Sequence, residues 1–224
     1  MICPYRGSTD IISTGDIERI FKSTDIEPDE EYNFSLHQLR RDVQRCLGTG
    51  IYQGKGDTSI WPGILTILAG IDLLTTYYDP IASPPLGANN NEKYKGFCNQ
   101  NMNLLIPQMQ DAFYQFRCGM LHDFSLISTT LNKRSPTTWF FKLEYKTEMG
   151  DYISYDSQTN YYTVYVFPLY KAFETAVSSV KNKLLDSFNN SQKITEITNA
   201  IHNTGIIYHS GDTSACAIFV PQQP

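Results

Sequence analysis

The sequence predicts a mainly α protein with a small antiparallel sheet in its C-terminal half. Two observations carry the helical part. The run from Ile60 to Tyr78 is apolar nearly all round, as a core helix should be, and apolar residues from Leu169 to Leu185 recur on one helix face. A third observation marks the sheet. After Leu131 the period changes, and two runs rich in aromatic and β-branched residues follow, separated by turn residues.

Composition bounds the class. A chain of 224 residues suits one large domain, here 1–224, with an irregular N-terminal extension. Apolar residues at 41% against 18% charged mark a globular chain rather than a disordered one. The net charge is −5 and there is no Lys/Arg run, which counts against broad electrostatic binding of nucleic acid. The five cysteines (Cys3, Cys46, Cys98, Cys118, Cys216) are scattered and odd in number, with no C-x-x-C pair. A zinc site or disulfide framework is not indicated, and a reduced cytoplasmic setting fits. The N-terminus lacks the basic-then-apolar pattern of a signal peptide. The apolar run Ile60 to Leu74 is short and interrupted by Pro62, Gly63, Gly70 and Asp72, so it reads as a core helix rather than a membrane span.

The elements follow in order. Residues 1–15 read as irregular, and Asp16 to Phe21 as a short helix. Thr24 to Asn33 is an acidic loop. Ser35 can cap a helix that runs to Leu47, with Leu36, Leu39, Val43 and Leu47 on one face. Gly48, Gly50, Gly54 and Gly56 then break the chain. They do not form a phosphate-binding loop: no glycine stands five positions before Gly54-Lys55, and Gly56 occupies the place of the required Ser or Thr. Ser59 can cap the next helix, which tolerates Pro62 in its first turn and ends near Tyr78. Asp79 to Asn91 is a loop, and Lys93 to Ile106 is helical. A helix starting near Pro107 and Asp111 then presents Phe113, Phe116, Met120, Leu121 and Phe124 as a buried stripe.

Downstream, Trp139 to Lys146 and Tyr161 to Phe167 read as strands of one antiparallel sheet. Pro168 opens a helix with Leu169, Phe173, Val177, Val180, Leu184 and Leu185 on one side. A shorter helix spans Lys193 to Asn203, and Ile206 to Val220 holds one or two strands.

Chemistry is concentrated in Phe116-Arg117-Cys118-Gly119-Met120-Leu121-His122-Asp123. Two ionisable groups in an apolar stripe are costly to bury unless paired or functional. Arg117 offers a planar donor fork suited to phosphate oxygens, and His122 can move a proton near neutral pH. Five positions apart on an ideal helix they differ by about 140°. They meet only if Gly119 loosens the turn or if a second copy of the chain shares the surface. A scaffold role would pair Arg117 with Asp111, Asp123 or Glu174. Asp72, an acid between Ile71 and Leu73 in the core helix, either needs a partner or faces solvent near the helix end. Cys118 reads as a small buried residue, and His37, His202 and His209 as ordinary.

This segment resembles the Arg-x4-6-His motif of HEPN domains, small helical domains of which many are metal-independent ribonucleases in toxin–antitoxin, abortive-infection and RNA-processing systems. The resemblance covers Ser59 to Ser128 and, more loosely, the helix from Pro168 to Phe188. It implies a HEPN-like helical bundle and a site composed across a homodimer. It implies that Arg117 and His122 are the catalytic pair, with no cofactor. His122 would transfer protons and Arg117 would stabilise the scissile phosphate of an RNA substrate, leaving a 2′,3′-cyclic phosphate. It also implies an antitoxin or other partner protein, while the short, interrupted apolar run predicts no membrane association. Active HEPN nucleases usually carry Asn, Asp or His after the arginine, whereas this chain has Cys118. That departure keeps open the alternative of a non-catalytic HEPN-like binding module.

Overall fold

The computed structural model describes residues 11–24, 33–54, 59–130, 136–145, 150–204 and 207–208. Among these the chain is mostly helical, with a four-stranded sheet in the C-terminal half. The helices are α1 (Thr14–Ile20), α2 (Ser35–Leu47), α3 (Ile60–Tyr78), α4 (Asn90–Met102), α5 (Pro107–Cys118), α6 (Val166–Asp186) and α7 (Ser191–Thr204). The strands are β1 (Asn33–Phe34), β2 (Ile127–Thr130), β3 (Thr137–Glu144), β4 (Ile153–Asp156), β5 (Tyr161–Tyr165) and β6 (Ile207–Tyr208).

Helix α3 is the hub, touching α2, α4, α6 and α7. Its Ile64, Ile67, Leu68, Ile71 and Leu74 are fully buried, the i, i+3, i+4 repeat of a core helix. Each such side chain contributes about 1.5–3 kcal/mol on burial. With Thr75 to Ile81 included, the helical segment Ile60–Ile81 is long and apolar enough to cross a membrane by length and composition, which corrects the length judged from the shorter run Ile60 to Leu74 but not its reading as a core helix. Half of its apolar window is buried within the protein, against the other helices. Gly70 lets α6 approach closely, because a β-carbon there would stand 2.7 Å from the Phe173 ring.

Local chemistry sets the helix ends. Ser13 and Asp16 form a reciprocal capping box that starts α1 two residues before the expected Asp16. Asn89 accepts from the Glu92 amide at 3.0 Å, so α4 begins inside the expected loop. It ends at Met102 rather than Ile106, because Asn103 turns left-handed (φ 57°). Ile106 is instead the N-cap of α5, with Pro107 at its first position. Ser35 is the first residue of α2, directly after β1. Helix α6 starts at Val166, earlier than Pro168, and follows β5 without a loop. Pro168 is tolerated in the first turn, where its missing N–H has no intrahelical acceptor.

The sheet order is β2-β3-β5-β4. It is mixed, which corrects the antiparallel expectation. The two runs legible in the sequence, β3 and β5, pair in parallel, with Phe141 opposite Tyr162 and Leu143 opposite Val164. The return is made by β4, which pairs antiparallel with β5 at the outer edge, Ile153 opposite Val164. The β4–β5 turn is tied by Asp156, which accepts from the Gln158 amide at 2.9 Å and the Thr159 hydroxyl at 2.7 Å. The other edge is β2, antiparallel to β3, with Ile127 opposite Phe140. The buried face of the sheet packs on α5 through aromatic contacts, Phe116 to Phe141 at 5.3 Å and Phe113 to Tyr152 at 5.2 Å between ring centroids. Strands β1 and β6 form a separate antiparallel pair. The rest of the stretch Ile206 to Val220 lies outside the described residues, as do residues 25–32 of the acidic loop and Gly56 of the glycine-rich one. Within that second loop Gly50–Tyr52 forms a 3₁₀ turn.

A second polar cluster ties α2 to α6. Arg40 grips Glu174 with Nε and Nη2, the shorter bond 2.6 Å, and its Nη1 donates to the Lys22 carbonyl at 2.9 Å. Buried His37 faces the same carbonyl through Nδ1 at 3.4 Å, which leaves Nε2 without a partner. Burial, and then the charges of Arg40, Arg41 and Lys22, hold the His37 pKa below the usual 6.5 against the pull of the Lys22 carbonyl.

Two outcomes are expected. The unfolded chain binds a proton at position 37 that the folded chain resists. Stability therefore falls as pH drops below about 6.5 and is unaffected by this group above it. Urea unfolding at about pH 7.5 and pH 5.5 should show a smaller pH loss for His37→Gln than for the wild type. Gly70→Val should cost about 1–3 kcal/mol in the same assay by driving a side chain into Phe173.

Candidate functional site

Arg117 is the penultimate residue of α5, and His122 belongs to the turn that follows. That turn, Gly119–Asp123, is π-helical: the Phe124 amide donates to the Gly119 carbonyl, five residues back. A turn closed by i→i+5 bonds holds more residues than an α-helical one. Positions five apart therefore come round to nearly the same side, where an ideal α-helix would separate them by about 140°. The result is direct contact within one chain: Arg117 Nη1 lies 3.1 Å from His122 Nε2. Of the two routes the sequence left open, loosening at Gly119 produces this contact.

Gly119 has a steric reason to be glycine although its φ of −59° suits any residue. A β-carbon there would stand 2.8 Å from the Ser125 carbonyl oxygen. The Ser125 amide in turn donates to the Gly119 carbonyl at 3.0 Å. The chain after His122 thus folds back against Gly119 before entering β2.

Asp72 of α3 completes the group. Arg117 Nη2 donates to its Oδ2 at 2.6 Å, and Nε reaches both carboxylate oxygens at 3.2 and 3.3 Å. This is a fork-to-carboxylate pair with fixed geometry. It replaces the anticipated scaffold partners. Asp111 is held by Lys95 at 2.8 Å and Glu174 by Arg40, and Asp72 does not simply face solvent. Arg117 and Asp72 side chains are 20% and 34% exposed, so the pair lies at the protein's rim. Burial works against the charge of Arg117, but the bonds to Asp72 and its negative charge outweigh it and raise the arginine pKa.

These contacts define hydrogen roles. Arginine only donates. For the 3.1 Å contact to be a hydrogen bond, His122 Nε2 must accept, which requires the tautomer with its ring proton on Nδ1. The exposed imidazole thus presents a lone pair held beside a permanent cation. Cys118 is partly exposed and lies against Tyr114, whose hydroxyl pKa is raised by burial and then by the thiol beside it. Cys98 of α4 is fully buried, and burial followed by the charge of Asp72 pushes its thiol pKa far up.

Phe113, Phe116 and Met120 form the buried stripe as expected, and Leu121 is half-buried. Phe124 does not belong to it. It ends the π-turn in the left-handed conformation (φ 49°, ψ 41°), which points the chain away from the core and leaves its side chain 70% exposed. His37 and His202 lie elsewhere, on α2 and α7, and His209 is outside the described residues. No group of three or more His, Cys, Asp or Glu that could hold a metal occurs among the described residues. A separate cleft of about 190 Å³ lies between the α4–α5 connection and β4, lined by Leu105, Ile106, Met109 and Tyr152. It contains neither Arg117 nor His122.

Asp72 was visible in the sequence as an acid needing a partner, but its partner stands 45 residues away and no local pattern connects them. No protein-family model, curated protein or solved structure matches the chain.

Gly119→Ala should force the Ser125 carbonyl away, open the π-turn and separate His122 from Arg117. Nitrogen chemical shifts of the His122 ring should then move toward those of a free, tautomer-averaged side chain, with a stability loss of about 1–3 kcal/mol. An unchanged ring environment would show that the turn does not depend on the glycine.

Proposed function

We propose that the chain is a HEPN-like protein that cleaves RNA without metal through Arg117 and His122. The observation that carries this reading is the 3.1 Å contact between the two side chains at an exposed turn, held from behind by Asp72. The chemistry follows from the roles of the hydrogens. A scissile phosphate oxygen takes the place of His122 as acceptor on Arg117 Nη1, which frees the Nε2 lone pair. Nε2 then accepts the proton of the ribose 2′-hydroxyl. The 2′-oxygen attacks phosphorus, the bond to the 5′-oxygen breaks, and a second acid protonates the leaving oxygen. Arg117 offsets the negative charge that builds on the phosphate oxygens. The product is a 2′,3′-cyclic phosphate. Asp72 is a positioning residue in this scheme.

His122 and Asp123 are both exposed, so a second copy of the chain has access to this end of the molecule. A homodimer supplies a second His122 as the acid. Toxin or phage-defence action in the cytoplasm, with an antitoxin or other partner protein and no membrane, suits such an enzyme. Cys46, Cys98 and Cys118 are free thiols, in keeping with a reducing compartment.

A second reading is favoured by three features. Cys118 follows the arginine, the net charge is −5, and Asp72 already compensates the charge of Arg117. On that reading the same surface holds a partner without cleaving it.

Purified protein should cut single-stranded RNA in EDTA and leave cyclic phosphate ends. Arg117→Ala and His122→Ala should each slow cleavage by about 10²–10³-fold while remaining folded. Asp72→Ala should slow it less and cost about 1–3 kcal/mol in unfolding. Equal inactivity of all proteins across many RNAs would favour the binding module. Equal activity of all of them would place the cleavage elsewhere.

A further inference from the structure

Phe124 is in an unfavourable state in two respects. Its φ of 49° is a conformation that bulky side chains rarely adopt. The comparable left-handed end of α4 is taken by Asn103, a residue that tolerates it. Its ring is also the most exposed large apolar side chain among the described residues, at 70%. Among the described residues, neither the core nor another aromatic ring engages it. Glycine or asparagine would end the turn with less strain and less exposed apolar area. Backbone strain of this kind collects at functional sites, and here it falls two residues after His122.

The surroundings extend the same surface. Ile127, half-exposed, opens β2. It pairs across the sheet with Phe140 of β3, whose ring lies 5.7 Å from that of Tyr161 on β5. Phe141, Val164 and Ile153 face the core, so the alternation of the strands puts Phe140 and Tyr161 on the outer face. Ile127, Phe140 and Tyr161 therefore lie side by side as a row on the outer face of three adjacent strands, and Phe124 stands between them and His122 in the chain. Charge does not draw a polyanion to it, since Asp123 and Asp156 flank the row and Lys142 is paired with Glu144. Stacking needs no charge and works with any base.

Resting on the ribonuclease reading above, we propose that Phe124 is the stacking platform for the base next to the scissile phosphate, and that single-stranded RNA continues along Ile127, Phe140 and Tyr161. The strained turn then has a purpose: it presents a phenyl face beside the atoms that act on phosphate and 2′-hydroxyl. The specificity is for an unpaired, splayed nucleotide rather than for a sequence.

The test uses the full chain as wild type, Phe124→Trp, Phe124→Leu and Phe124→Gly. The glycine variant relieves the positive φ and so protects against loss of folding. Cleavage of unstructured oligoribonucleotides is measured with the base beside the cut intact or replaced by an abasic residue. Phe124→Trp should stay within about threefold of wild type. Phe124→Leu and Phe124→Gly should raise KM by roughly 5- to 150-fold, the range expected of one stacked base, with kcat nearly unchanged. The abasic substrate should penalise wild type and leave those two variants indifferent. In a His122→Ala background, oligonucleotide should quench the tryptophan introduced by Phe124→Trp. If wild type cuts RNA and the leucine and glycine variants cut it equally well, the stacking role is wrong and the ribonuclease reading stands. If wild type neither cuts nor binds any RNA, both fall. If the variants lose self-association in sedimentation instead of RNA affinity, the phenyl belongs to a contact between two copies and the proposal is overturned.

Discussion

The pair of Asp72 and Arg117 joins the two parts of the molecule on which everything near the site depends. Asp72 stands on α3, the helix around which α2, α4, α6 and α7 gather. Arg117 stands where α5 gives way to the π-turn. An acid in a core helix and a cation at the end of an aromatic stripe would each be costly alone. Together, with two nitrogens of the fork on one carboxylate, they lock the end of α5 onto α3. Only Nη1 is left to point outward, and His122 meets it there. The same bond that compensates a partly buried charge thus fixes the direction in which the remaining donor looks.

The extra residue in the turn matters as much. An α-helix through Gly119–Asp123 would put Arg117 and His122 on different faces. Such a helix would also carry Phe124 back into the core line of Phe113 and Met120. The wider turn brings the first pair together and turns the phenylalanine outward. One change in backbone winding therefore decides three side-chain positions, and the close approach of the Ser125 carbonyl to Gly119 holds it in place.

Much of the helical architecture was legible in the sequence. The all-round apolar run of α3 and the one-face repeat of α6 are long, and Ser59, Pro107 and Pro168 stand within two residues of the starts of α3, α5 and α6. Boundaries moved where capping decided them, as at Asn89 and Asn103, and where α6 takes over directly from β5 at Val166. The sheet was half legible. Strands β3 and β5 are rich in aromatic residues, but β2 and β4 have four residues each, too few to show alternation. The parallel pairing of β3 and β5 depends on which strand β4 chooses, and no local pattern carries that. In the site, Arg117 and His122 stood out as ionisable groups among apolar ones, and Asp72 stood out separately. Their meeting is a tertiary fact. The π-turn was hinted at only by Gly119.

The burial of Cys98 has a consequence of another kind. Its thiol sits on the buried side of α4 and is held protonated by burial and by Asp72, while Cys118, next to Arg117 in the chain, is partly exposed. A thiol reagent therefore meets Cys118 in the native protein but meets Cys98 only when the packing around α4 gives way. With Cys46, which is partly exposed like Cys118, replaced by serine, these two cysteines would give labelling a fast hand and a slow one. The fast hand registers whether the rim is covered by a ligand or partner, and the slow hand counts openings of the core.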